Sequence, residues 1–133
     1  MHIARSTDNG KSYIATKLGK DTWKLDGCPM DGGAVALDSR ARIKSIWRRG
    51  DTIFHEVPGG QELALGPGKN PSMTYSAYGP YIAWSDGGQL MLRTPTQKKP
   101  KAFAEGAYVQ LAGSGPVFAV WENKGAILLE LIP

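Results

Sequence analysis

Arg48 and Arg49 stand side by side in Ile46-Trp47-Arg48-Arg49-Gly50-Asp51, and Asp31 precedes them in Asp31-Gly32-Gly33. These are the side chains whose chemistry could serve a ligand. A guanidinium is a planar fork that bonds a carboxylate through two parallel N–H donors. An aspartate could act as an acid or as a polar ligand. Each also has a plain structural use: charge keeps a hairpin turn soluble, and Asp before two glycines suits an Asx-type turn. On a strand, alternation sends adjacent arginines to opposite sides, so one of the two at most faces a ligand. Tyr75, Tyr78, Tyr81 and Tyr108 are expected to pack as ring or core residues. His2 and His55 are isolated and Cys28 is alone, which leaves no metal constellation and no intrachain disulfide. No cofactor is implied. Gly66-Pro67-Gly68-Lys69-Asn70-Pro71 superficially resembles a phosphate-binding loop, but neither a Ser/Thr after Lys69 nor a helical pattern follows, so a plain turn is expected.

The elements that would position these residues repeat. Trp47, Trp84 and Trp121 are spaced 37 residues apart, twice over, each after an apolar residue and before a Gly-containing turn and a second apolar run. A fixed period of this length marks a repeat architecture. Ile82-Ala83-Trp84 and Leu90-Met91-Leu92 around Gly87-Gly88 read as a β-hairpin. Ala34–Leu37, Ser72–Tyr75 and Tyr108–Leu111 precede the hairpins as strand candidates, and Glu62–Leu65 and Ala102–Ala104 follow them. Trp23-Lys24-Leu25 reads as a further, outer strand. Three or four short strands per repeat match one blade of a β-propeller, and no amphipathic run long enough for a helical repeat is visible. The fold class is therefore all-β, with about three blades' worth of antiparallel strands. Residues 1–26 form a partial blade, 27–65 and 66–106 form blades, and 107–133 form a second partial blade.

Composition agrees. The chain has 133 residues, 17 of them Gly and 9 Pro, and its hydrophobic fraction of 41% suffices for a packed core. The net charge of +4 is scattered except at Lys98-Lys99-Pro100-Lys101, which reads as a solvated loop. No aromatic platform or groove-reading helix accompanies that run, so no nucleic-acid partner is expected. No apolar stretch approaches a membrane span, and the first residues, with His2 and Arg5, carry no signal-peptide core.

Residues 6–13 read Ser6-Thr7-Asp8-Asn9-Gly10-Lys11-Ser12-Tyr13. The physical logic is local: Ser6 and Asp8 can bond backbone N–H groups of their own turn, Gly10 can supply a positive φ, and Tyr13 can pack its ring under the hairpin. Ser-x-Asp-x-Gly-x-x-aromatic resembles the Asp-box, the bacterial neuraminidase repeat of sialidase-like propellers, with Tyr13 in place of the usual Trp. With Cys28–Gly33 and Trp47-Arg48-Arg49, the chain resembles the C-terminal part of bacterial exo-α-sialidase-like proteins. That resemblance implies six-bladed-type propeller architecture and an Asp-box that serves the fold, away from the ligand face. It implies an extracytoplasmic parent protein and carbohydrate as ligand. Sialidases bind the substrate carboxylate with three Arg and use a Tyr nucleophile assisted by Glu, with an Asp as acid/base.

This sequence offers fragments of that set. No Tyr–Glu pair stands out, so catalytic residues are not assigned, and Asp31, Arg48 and Arg49 remain ligand-binding candidates. The expected ligand face carries Cys28–Asp31, Arg48–Asp51, Asn70–Ser72, Ser85–Gly88, Glu105–Tyr108 and Glu122–Lys124. The implied function is part of a carbohydrate-active propeller, related to exo-glycosidases but catalytically incomplete alone. The alternative is a non-catalytic module that binds glycan or protein, or a structural unit that closes by homo-oligomerisation. Roughly three blades are too few for a ring, since about four to eight are typical. The open ends are therefore expected to be covered by a second copy or by blades of a parent chain.

Overall fold

The computed structural model describes residues 1–24, 31–57, 61–97 and 99–133. All of its regular structure is β. The thirteen strands are β1 (His2–Arg5), β2 (Ile14–Lys17), β3 (Ala34–Leu37), β4 (Ile43–Arg49), β5 (Thr52–Val57), β6 (Gln61–Pro67), β7 (Lys69–Ser76), β8 (Gly79–Asp86), β9 (Gln89–Arg93), β10 (Lys101–Glu105), β11 (Ala107–Ala112), β12 (Val117–Asn123) and β13 (Ala126–Ile132). They form an N-terminal pair β1–β2, sheet I in the order β3-β4-β5-β6, sheet II in the order β7-β8-β9-β10, and sheet III in the order β11-β12-β13. Among the described residues every pairing is antiparallel between chain neighbours, and no sheet closes on itself. Among the described residues no helix is long and apolar enough to cross a membrane.

The hairpins follow from turn chemistry. Gly87-Gly88 and Lys124-Gly125 each hold two consecutive positive φ values, 57° and 88° in the first and 51° and 79° in the second. Two left-handed residues in a row make a turn whose twist suits the flanking strands. Gly50, one repeat earlier, has φ 60°. The three tryptophans then fall at one register position: Trp47 opposite Phe54, Trp84 opposite Met91, and Trp121 opposite Leu128. All three are buried.

The sheets pack in series, face against face. Ile46 and Ile53 of sheet I form one core with Met73, Ile82 and Trp84 of sheet II. The other face of sheet II, with Tyr81, Ala83, Leu90 and Leu92, forms a second core with Val109, Leu111, Val117, Ala119 and Trp121 of sheet III. Each of these sheets thus presents its Trp-bearing face to the preceding one. Side-chain hydrogen bonds accompany the second core: the Leu111 N–H donates to Ser72 Oγ at 2.9 Å, Thr74 Oγ1 donates to the Gly113 carbonyl at 2.7 Å, and the Tyr81 hydroxyl donates to the Pro133 carbonyl at 3.5 Å.

Three sequence expectations are corrected. Trp23 and Lys24 lie outside any strand, and Leu25 falls outside the described residues. Gly66–Pro71 is not a plain turn: β6 runs to Pro67 and β7 begins at Lys69, joined through Gly68. That junction is tight because a Cβ on Gly68 would lie 2.3 Å from Trp84 Cδ1 and 2.5 Å from the Ser85 carbonyl. Tyr78 and Tyr108 do not pack but stand exposed, whereas Tyr81 is buried and Tyr75 partly so. Tyr78 lies in the β7–β8 turn and Tyr108 in the bulge at the start of β11.

Candidate functional site

One end of the three sheets gathers the β4–β5, β8–β9 and β12–β13 turns and the starts of β3, β7 and β11. A backbone device recurs there. Gly68 and Gly106 have φ of 141° and 142°, and two residues on, Asn70 and Tyr108 adopt φ of 53° and 56°. Each inner strand is bulged at this point, between Lys69 and Ser72 and between Ala107 and Gln110. Each glycine also ties its sheet to the turn of the one before: the Gly68 N–H donates to the Asp51 carbonyl at 2.8 Å, and the Gly106 N–H to the Gly88 carbonyl at 2.9 Å. Together with Gly33, whose Cβ would lie 2.6 Å from the Ile46 carbonyl, these glycines recur at intervals of 35 and 38 residues. The offset from 37 hides them from a strict periodic reading, although a glycine one to four residues before each inner strand's run is visible once sought.

Asp31 and Arg48 meet at this end. Arg48 Nη1 donates to both Asp31 oxygens, at 3.0 and 3.2 Å, its Nη2 to Asp51 Oδ1 at 3.3 Å, and its Nε to the Gly50 carbonyl at 2.6 Å. The guanidinium also stands 5.4 Å from the Trp23 ring centroid. Asp31 further accepts from the Asn70 N–H at 3.2 Å, an amide turned toward it by the bulge. Cys28, Pro29 and Met30, the rest of that expected loop, lie outside the described residues. Arg49 points the other way, as strand alternation requires. Its two terminal nitrogens donate to Glu62 at 2.8 and 2.7 Å, Asp21 lies 3.5 Å away, and its Cζ stands 4.0 Å over the Phe54 ring. The hydrogen bond to Arg49 holds the Glu62 carboxyl below its usual range. The three candidates are thus divided: Asp31 and Arg48 are brought together, Arg49 is placed apart, and both arginines are committed to carboxylates.

Beside the Arg48 pair lies a cleft of ≈ 220 Å³ between the turns of sheets I and II. Asp51, Lys69, Ser85 and Asp86 contribute to its wall. The Ser85 hydroxyl is buried and has no hydrogen-bond partner among the described residues. Tyr108 projects at the same end from the start of β11. The Ser85 hydroxyl lies on the Ala83 side of β8, turned away from sheet I. The cleft was not signalled by motif or spacing, since it arises where two turns distant in sequence meet.

The Ser6–Tyr13 turn lies at the opposite end, where Arg5 and Ser6 face Leu37, Ala41 and Arg42 of the β3–β4 turn. Ser6 Oγ accepts from the Gly10 N–H at 2.8 Å and donates to Asp8 Oδ1 at 2.8 Å. Asp8 accepts from the Ser12 N–H at 2.9 Å and the Ser12 hydroxyl at 2.6 Å, so Ser12 joins the set. Those bonds, the Ser12 hydroxyl first, pull the Asp8 carboxyl down to about 2. Gly10 has φ 84°, as the turn needs. Tyr13 departs from expectation: it is 65% exposed, its hydroxyl lying over Gly10 of its own turn rather than in a core.

His55 is the remaining titratable group of note. It is 4% exposed within the interface of sheets I and II, and neither ring nitrogen has a hydrogen-bond partner among the described residues. Burial first, then the charges of Arg93 and Lys44, push its pKa down to about 4. It occupies the repeat position of Leu92, which explains its apolar surroundings. Among the described residues no group of three His, Cys, Asp or Glu could hold a metal ion.

Set against known protein families, curated proteins and solved structures, the chain matches none of them.

Proposed function

We propose that this chain is a unit of a sialidase-like propeller that binds a glycan at its turn-rich end and does not hydrolyse it by itself. The observation that carries the reading is the commitment of both candidate arginines. An arginine that receives a substrate carboxylate needs free donors, but Arg48 spends its donors on Asp31, Asp51 and the Gly50 carbonyl, and Arg49 on Glu62. Freeing either one would strand a carboxylate, at a cost that ligand binding must overcome.

What remains at that end suits hydroxyl groups better than a carboxylate. Asp51 and Asp86 are acceptors and Lys69 a donor. Tyr108 adds an exposed ring of the kind that packs on the apolar face of a sugar. The Ser6-Asp8-Gly10 turn at the far end supports the Asp-box resemblance, and its bonds are all internal to the turn.

Two measurements test this. An aryl sialoside incubated with the protein is expected to give no turnover, and hydrolysis that disappears in Arg48→Ala would overturn the non-catalytic part. Titration by NMR with sialylated and neutral oligosaccharides is expected to shift Asp86 and Tyr108 amides, with the shifts reduced in Asp86→Ala. Absence of shifts with every oligosaccharide would overturn the glycan part.

A further inference from the structure

The chain makes one kind of interface twice and leaves both of its halves open once. In each formed interface, a Trp-bearing face packs on the other face of the sheet before it. On the receiving side the repeat positions are Ile46, Ile53 and His55 in sheet I and Ala83, Leu90 and Leu92 in sheet II, all buried. The same positions in sheet III are Val120, Ile127 and Leu129. There Ile127 is 72% and Leu129 67% exposed, and Val120 is only partly buried. Pairing places Leu131 beside Phe118 and Leu129 beside Val120, so the uncovered side chains form one apolar patch. Isolated exposed apolar residues need no account, but a contiguous patch on a sheet face marks an interaction surface.

The donating half is open at the other end. Met73 and Leu111, on the inner strands of sheets II and III, are 5% and 8% exposed because each faces the preceding sheet. Val35 holds their place in sheet I, opposite Ser45 as Met73 is opposite Ile82, and it is 64% exposed. Leu37, two residues on along the same face, is also exposed. The N-terminal segment covers Trp47 through Gly19, whose Cβ would lie 3.0 Å from Trp47 Cζ2, and brings Arg5 and Ser6 beside Leu37, yet Val35 and Leu37 stay largely exposed.

We infer that the two open halves are complementary and that a second copy of this chain fills them: the Val35–Leu37 face of one copy docks on the Phe118, Val120, Ile127, Leu129 and Leu131 face of another. The occupant is specified by the chain's own repetition, because a surface with the receiving pattern is met, both times it is covered, by a surface with the donating pattern. The contact is heterologous, joining two different faces, so it runs head to tail. It rests on the repeat alone and stands whether or not the turn-rich end binds a glycan.

The test is complementation. Wild-type protein at tens of micromolar is expected to sediment as a dimer or larger assembly. Leu129→Arg destroys the receiving face and Val35→Arg the donating face, so each variant alone is expected to sediment as a monomer, its self-association weakened at least tenfold. An equimolar mixture retains one good face of each kind and is expected to recover a 1:1 complex. Ile127→Lys and Leu37→Lys repeat the pair, and circular dichroism with thermal melting checks that all four keep the wild-type fold. A monomeric wild type overturns the inference. So does association that survives Val35→Arg, which would show the receiving face packing on itself, and so does a mixture that stays monomeric.

Discussion

Asp31 and Arg48, 17 residues apart, form a partly enclosed ion pair in which the aspartate side chain is 5% and the arginine 22% exposed. The Asn70 amide completes it, so one carboxylate joins the approach to sheet I, the end of β4 and the bulge that opens sheet II. The pair therefore acts on the packing of two sheets.

Asp31→Ala is expected to lower stability by about 2 kcal/mol in urea unfolding. Breaking a fully buried pair costs roughly 3–5 kcal/mol, and the partial exposure of Arg48 reduces that. Asp31→Leu combined with Arg48→Met is expected to regain most of the loss, since no charge is then left unpaired. Equal losses in the single and double variants would show that the pair's charge is not what matters.

His55 makes stability depend on pH in mildly acidic solution. The unfolded chain takes up a proton near pH 6.5, while the folded chain resists it down to about 4. Between those values the unfolded state binds more protons, so the contribution is fully present above pH 6.5 and is lost as pH falls toward 4. The expected loss over that window is roughly 3 kcal/mol. His55→Leu, which installs the side chain found at the next repeat, is expected to flatten the pH profile of urea unfolding there. An unchanged slope would locate the dependence elsewhere.

The glycines at the sheet junctions should not tolerate a side chain. Gly68→Ala would set a methyl against Trp84 and the Ser85 carbonyl at φ 141°, and Gly106→Ala would meet Glu122 and Trp121 at φ 142°. Either is expected to cost more than about 3 kcal/mol or to prevent soluble expression. Gly50→Ala, with open space around its Cβ and φ 60°, is expected to cost about 1 kcal/mol. Thermal melting of the three variants orders them.

The tryptophans differ in one respect despite their common position. Trp84 Nε1 donates to the Pro67 carbonyl at 2.8 Å, whereas Trp121 Nε1 is buried without a partner among the described residues. Trp84→Phe is expected to destabilise by about 1 kcal/mol more than Trp121→Phe, the net worth of one hydrogen bond. Equal costs by chemical denaturation would mean that the bond contributes nothing.

The all-β class, the antiparallel hairpins and the equivalence of the three tryptophans were legible in the sequence. So were the placement of Arg48 and Arg49 on opposite sides of β4 and the positive φ of Gly10. All of these depend on short-range rules: alternation along a strand, glycine at left-handed turn positions, and a period that repeats both. Tertiary structure decided what those rules leave open. Alternation says that Val35 and Leu129 face out of their sheets, but whether another sheet covers that face depends on segments far away in the chain. A guanidinium's partner is set by which carboxylate can reach it, so Asp31 takes Arg48 and Glu62 takes Arg49 across 17 and 13 residues. The bulges at Asn70 and Tyr108 shift the register that a fixed period assumes, and they aim an amide at Asp31 in one sheet and a bare tyrosine at solvent in the next. His55 sits where its sister repeat has leucine, and only the packing of sheet II against sheet I turns that substitution into a buried, proton-resistant imidazole.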